Sequence, residues 1–226
     1  MDKDVTKRLL RYAGIPTADY IALRRADYGA DTVAAISASI GYPAFVKPAN
    51  LGSSVGVSRV ESDTELEQAI DDAFAFDVKV LVERSIDGRE LECAVLGNDA
   101  PLASAIGEIL PAQGFYSYDA KYVDENGAVL RIPAELPDAV AARVRNTAID
   151  AFRTLELSGM ARVDMFLTES GEVVVNEANT IPGFTNISMY PRLWQESGVS
   201  YSELISRLID LAMEAYDQQS RLKSTR

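Results

Sequence analysis

Four residues near the C-terminal end of the chain, Arg162, Asp164, Glu177 and Asn179, have the types and spacing to handle phosphate and a hard cation. They lie in two short apolar runs about a polar turn, Thr168 to Gly171, which is a hairpin signal. A loop of even length pairs Leu167 with Glu172 and Arg162 with Glu177. The two-residue period of a strand then sets all four polar groups on one face. A loop of odd length scatters them. Two carboxylates, a carboxamide and a guanidinium among Val, Met and Leu neighbours are costly unless something charged sits against them. Mg²⁺ takes one or two carboxylates together with substrate phosphates, and this set offers that. The alternative is a solvated hairpin face with incidental charges, since surface Asp and Glu are common.

Other groups could serve the same chemistry. Lys47 ends an apolar run just before Gly52-Ser53-Ser54-Val55-Gly56, a loop whose backbone N–H groups can cradle an anion while the lysine adds a point charge. It is not a Walker A loop, because no Gly-Lys-Ser/Thr closes it, and an ordinary turn fits it too. Glu83 and Glu90 flank a turn and could read an adenine edge and ribose hydroxyls; two solvated carboxylates are the plain alternative. Lys121 lies in the aromatic run Phe115 to Tyr122, either a patch pinning a loop or a lid closing over a reaction centre. Pro182-Gly183 makes a rigid bend whose following amides could face an oxyanion. In chain order these read as lysine, phosphate loop, base and ribose readers, lid and metal face: a nucleotide site between two subdomains.

The elements that must position these groups are legible from period and caps. Helices are predicted over Lys3 to Ala13, closed by Gly14, and over Asp31 to Ile40, stopped by Gly41 and Pro43. Further helices run from the capping box Ser62-Asp63-Thr64-Glu65 to Phe76, Pro137 to Leu155, Met189 to Glu196 and Ser202 to Tyr216. Strands are predicted at Tyr20 to Leu23, Ala44 to Pro48, Val57 to Val60, Val78 to Glu83, Glu90 to Leu96 and Leu102 to Ile109, besides the C-terminal hairpin. Pro111 to Val123 reads as a loop and Asp217 to Arg226 as a frayed tail. Helices interleaved with antiparallel hairpins indicate an α+β or mixed α/β chain.

Composition narrows the chemistry. The 226 residues are 47% apolar and 25% charged, an ordinary globular balance, and the net charge of −12 argues against nucleic acid and anionic membranes as partners. There is no histidine, which removes the usual neutral-pH base, a Ser-His-Asp triad and His-ligated zinc. The single cysteine, Cys93, alternates with apolar neighbours and is expected in the core of a protein from a reducing compartment. No run is apolar and long enough for a membrane span and no signal peptide opens the chain, so a cytoplasmic protein is expected.

Six ordered motifs then carry a resemblance across essentially the whole chain: Met1-Asp2-Lys3, Phe45-Val46-Lys47-Pro48, Gly52-Ser53-Ser54-Val55-Gly56, Tyr118-Asp119-Ala120-Lys121-Tyr122, Ala161-Arg162-Val163-Asp164 and Asn176-Glu177-Ala178-Asn179 running on to Thr185. Together they resemble the D-alanine–D-alanine ligases of the ATP-grasp superfamily, and Phe184 to Pro191 is similar to the enterobacterial type A isozyme. The resemblance implies two α+β subdomains clasping ATP, with residues 1–86 as the nucleotide-binding subdomain, 87–217 as the catalytic one and 218–226 as a polar tail. It implies attack of one D-alanine carboxylate on the γ-phosphate, then attack of a second D-alanine's amine on the acylphosphate. That product is D-alanyl-D-alanine for peptidoglycan precursors.

Carried over residue by residue, the resemblance gives Lys3, Lys47 and Lys121 to the phosphates, with Ser53 and Ser54 in the loop covering them. Glu83, Arg84 and Ile86 hold adenine and Glu90 the ribose. Asp164, Glu177 and Asn179 hold two Mg²⁺ (or Mn²⁺), Arg162 and the Gly183 amide stabilise the oxyanion, and Ser188 with Met189 receives the second carboxylate. Tyr122 bears on specificity, because related D-lactate ligases carry a histidine-bearing lid, so a chain without histidine resembles a dipeptide ligase. The family begins with a further N-terminal domain that is not found here, so the fragment is expected to bind ATP and to ligate poorly unless that domain is supplied. A homodimer is compatible with the family. Two other readings stay open: a different ATP-grasp carboxylate–amine ligase, or an ATP/Mg-binding module inactive alone.

Overall fold

The computed structural model describes residues 1–29, 31–111 and 128–222. It divides into two compact units, the first built from Met1–Arg89 with Phe166–Asn176, the second from Glu90–Ile109, Leu130–Met165 and Glu177–Arg226. Both mix helices with sheet, the expected α+β class.

The first unit opens with α1 (Lys3–Tyr12), capped by Asp2, whose carboxylate accepts the N–H groups of Asp4 and Val5. Then come β1 (Tyr20–Arg24), α2 (Thr32–Ile40), β2 (Ala44–Pro48), β3 (Ser58–Val60), α3 (Asp63–Ala73) and β4 (Lys79–Arg84). The strands form an antiparallel sheet in the order β1-β4-β2-β3, with Glu83 opposite both Tyr20 and Phe45. β4 is buried along nearly its whole length because each face has a cover. Val80 and Val82 join Ile36, Ile40, Leu66 and Ile70 in the core with α2 and α3. Lys79 and Glu83, each one residue from that apolar pair and so on the strand's other face, instead meet the cap acid Asp2 with Asp4 and Lys7 of α1. The strand is thus half hydrophobic core and half ion-pair seam.

The Ser/Gly loop before β3 departs from expectation in an instructive way. Ser53 and Ser54 take left-handed backbone at φ 55 and 58, while glycine supplies it only at Gly56, φ 68. Val55 N–H bonds to Gly52 O and Val57 N–H to Ser54 O, two successive tight turns. A Cβ on Gly56 would sit 2.8 Å from the Phe76 ring and 2.9 Å from Pro48. Gly56→Ala is therefore expected to cost about 2 kcal/mol in urea denaturation, from left-handed strain plus crowding. A loss within error would show that the loop relaxes freely.

The second sheet has the order β7-β6-β5-β8-β9, from β5 (Gly88–Gly97), β6 (Leu102–Pro111), β7 (Ala128–Arg131), β8 (Gly159–Thr168) and β9 (Val173–Asn179). β5 and β6 pair antiparallel, Glu90 opposite Ile109, with a register shift between Cys93 and Val95. The helices of the second unit are α4 (Asp138–Thr154), α5 (Met189–Glu196) and α6 (Tyr201–Ser220). Cys93 is fully buried, and burial pushes its thiol up to about 12, so it is core as expected. The strand β7 was not expected, and α6 runs four residues into the stretch read as frayed tail. No helix among the described residues is long and apolar enough to cross a membrane.

Candidate functional site

In the second unit the four residues singled out first do meet. The Arg162 guanidinium grips Asp164 with two bonds, Nε to Oδ1 at 2.7 Å and Nη2 to Oδ2 at 2.8 Å. Asn179 Nδ2 donates to Asp164 Oδ2 at 3.0 Å and to Glu177 Oε1 at 3.3 Å, so it ties the two strands together. The route to this convergence was misjudged. Thr168 N–H bonds to Glu172 O, and Gly171, at φ 80, donates to Thr168 O, which leaves three residues in the loop rather than an even count. The meeting of the four groups therefore rests on the side-chain bonds observed, not on loop parity.

Glu92, which sequence reasoning passed over, adds a third acid: its Oε2 lies 3.0 Å from Arg162 Nε. Burial would pull the guanidinium down, but Asp164 and then Glu92 hold it well above its usual value. Among the described residues no trio of His, Cys, Asp or Glu forms a metal site by itself. The donor set is two carboxylates and a carboxamide, which fits an oxygen-seeking ion such as Mg²⁺ that completes its shell with phosphate oxygens.

Further along, Ser188 stands at the N-cap position of α5, where its hydroxyl accepts the Thr185 N–H at 3.1 Å rather than an N–H of the helix. A Cβ on Gly183 would lie 3.1 Å from that hydroxyl, so the bend and the helix start are neighbours. Met189 is buried against Gly107, which leaves only its backbone to meet a ligand.

The first unit holds a separate charged cluster. Lys47 Nζ lies 2.7 Å from Glu83 Oε2 and donates to Asn176 Oδ1 at 3.2 Å. Glu83 Oε1 faces Lys7 Nζ at 3.4 Å. Glu83, expected to read an adenine edge, is buried with both oxygens aimed at ammonium groups. Burial favours its neutral form, yet Lys47 and then Lys7 hold it below the usual carboxylate range. Lys3 sends its ammonium to the Leu51 carbonyl at the entry of the serine loop, and its N–H bonds to Ala49 O at 2.9 Å. Arg84 is exposed and bonds to Asp19 O through its backbone; Ile86 and Glu90 are half-buried. Lys121 and Tyr122 lie outside the described residues. Lys7 and Asn176 were missed. Lys7 did carry a signal, since Lys3, Lys7 and Leu10 recur at helical spacing on the buried side of α1.

Residues 9–210 match the family model described as D-ala D-ala ligase C-terminus. The chain is 58% identical over 214 residues to D-alanine–D-alanine ligase A of Chromobacterium violaceum, covering 95% of this chain and 58% of the relative. Among solved structures, the D-alanine–D-alanine ligase of Coxiella burnetii superposes with a TM-score of 0.86 at 41% identity, covering 98% of this chain and 59% of that one. A ligase of the same name from Bacillus anthracis, complexed with ATP, gives a TM-score of 0.78 at 27% identity, covering 96% and 66%. The chain spans about three fifths of the length of the curated relatives it matches.

Proposed function

The chain belongs to the D-alanine–D-alanine ligase family, whose C-terminal part it matches in the ATP-grasp fold, and we propose that it supplies the ATP- and metal-handling portion of a D-alanine–D-alanine ligase. The convergence of Arg162, Asp164, Glu177 and Asn179 carries this reading. The whole reaction joins two D-alanines through an acylphosphate, for peptidoglycan precursors made in the cytoplasm. Lys47 and Lys3 bind the polyphosphate, together with Lys121 and the Ser53-Ser54 loop. Arg84 and Ile86 line the adenine through backbone, next to Glu83, whose oxygens stay with the two lysines, and Glu90 takes the ribose. Asp164, Glu177 and Asn179 would hold two Mg²⁺ or Mn²⁺ ions, which when bound neutralise charge along the phosphates. Arg162 and the Gly183 amide face the oxyanion of the second step, the Ser188 and Met189 amides hold the second carboxylate, and Tyr122 closes the lid.

Such phosphoryl transfer asks for position and charge rather than a histidine base, which suits a chain without histidine. Coverage of about three fifths of the relatives supports a second expectation: the isolated chain binds ATP·Mg²⁺ and forms dipeptide poorly. Calorimetric titration with ATP, with and without Mg²⁺, tests the reading. Binding is expected to require Mg²⁺, and Asp164→Ala is expected to weaken it by about tenfold. Equal affinity with and without metal, or none at all, would overturn it. D-Alanyl-D-alanine formed by the isolated chain at full turnover would overturn the second expectation alone.

A further inference from the structure

Lys7 is a fully buried ammonium that no ligand can reach, and among the described residues its only charged partner within ion-pair distance is Glu83 Oε1 at 3.4 Å. Holding a charge there is costly, and a methionine would fill the same space without that cost. Neutralising Glu83 does not require it, because Lys47 already lies 2.7 Å from the other oxygen. Lys7, Glu83 and Lys47 therefore carry one net positive charge rather than none. The Tyr20 ring, 5.7 Å from Lys7 Nζ, spreads that charge without cancelling it. An ammonium has three donors, and Lys47 spends two on Glu83 and Asn176.

We propose that Lys7 is a positioning residue for nucleotide binding: from behind Glu83 it takes a share of that carboxylate's charge and leaves the charge of Lys47 uncancelled for an anionic polyphosphate. The inference rests on the nucleotide-binding reading above and adds a residue that touches no ligand. Burial lowers Lys7 to about 8, partly offset by Glu83, so it still carries its proton at neutral pH.

Lys7→Met in the full chain separates charge from shape when ATP·Mg²⁺ and adenosine are titrated side by side. ATP is expected to bind about tenfold more weakly than in the parent, while adenosine, which has no phosphate, binds within about twofold of it. Unchanged ATP affinity overturns the inference, and so does an equal loss for both ligands, because a merely structural lysine would disturb both. If the parent binds no ATP, the nucleotide reading fails and the inference with it. If the parent binds ATP and the variant binds it equally, the inference fails alone. Circular dichroism checks folding, and Lys7→Gln, which keeps a donor but not the charge, carries the same readings if Lys7→Met does not fold.

Discussion

Arg162→Ala is expected to lower the stability of the chain by about 3 kcal/mol in urea denaturation and to make it bind divalent cations where the parent barely responds. The guanidinium is the hub of the polar cluster: it holds Asp164 with two bonds, lies within ion-pair distance of Glu92, and Glu177 adds to its field. Removing it takes away the cation beside Asp164, Glu92 and Glu177, while Asn179 still bridges Asp164 and Glu177. The side chain remains 19% exposed, which puts the cost at the lower end of the range for breaking a buried ion pair. The acids left behind make a concentrated negative site, so Mg²⁺ or Mn²⁺ should raise the unfolding temperature of the variant by more than that of the parent. Arg162→Lys should recover less than half of the loss, because a point charge cannot make the planar two-point grip. A variant as stable as the parent would mean that the cluster is not organised around the guanidinium. A variant indifferent to divalent ions would count against Asp164 and Glu177 as a metal-binding pair.

How far such a cluster is legible in sequence depends on which physical rule it obeys. Arg162 and Asp164 share a face by strand period, as do Glu177 and Asn179, so each pair was readable. The link across the strands was not, since it hung on a loop count that the left-handed Gly171 alters. The helices came through: α5 lies over Met189–Glu196 as expected, and α3 starts behind its cap Ser62, although it stops at Ala73 and not at Phe76. β7 escaped because Ala128–Arg131 is four residues long, too short for alternation to show. The harder failure was Lys7. Residue type says that a lysine is solvated, and only the helical spacing with Leu10 says otherwise. Glu83 shows the same gap from the other side: an acid at a strand end looks available for a ligand until two lysines are found holding it.

That buried seam gives the other large effect. Glu83→Gln is expected to cost about 3 kcal/mol at neutral pH, because it strands the ammonium groups of Lys7 and Lys47 without the carboxylate between them. The variant relieves itself by driving the proton off Lys7, which burial already lowers to about 8 in the parent. The sign of the pH dependence follows. Unfolded lysine keeps its proton up to about pH 10, and stability rises with pH wherever the unfolded state binds more protons than the folded one. Below about 8 the folded parent still holds the Lys7 proton and gains nothing as pH rises. The folded variant has lost that proton at lower pH and does gain, so its deficit narrows from about pH 6 upwards. Once Lys7 is neutral in both chains the two curves rise together and the gap stays level. Urea midpoints at about pH 6, 7, 8 and 9 would show this convergence. A deficit that stays constant over the range, or widens, would mean that Lys7 does not answer to Glu83, and the electrostatic coupling from α1 through β4 to Lys47 would have to be given up.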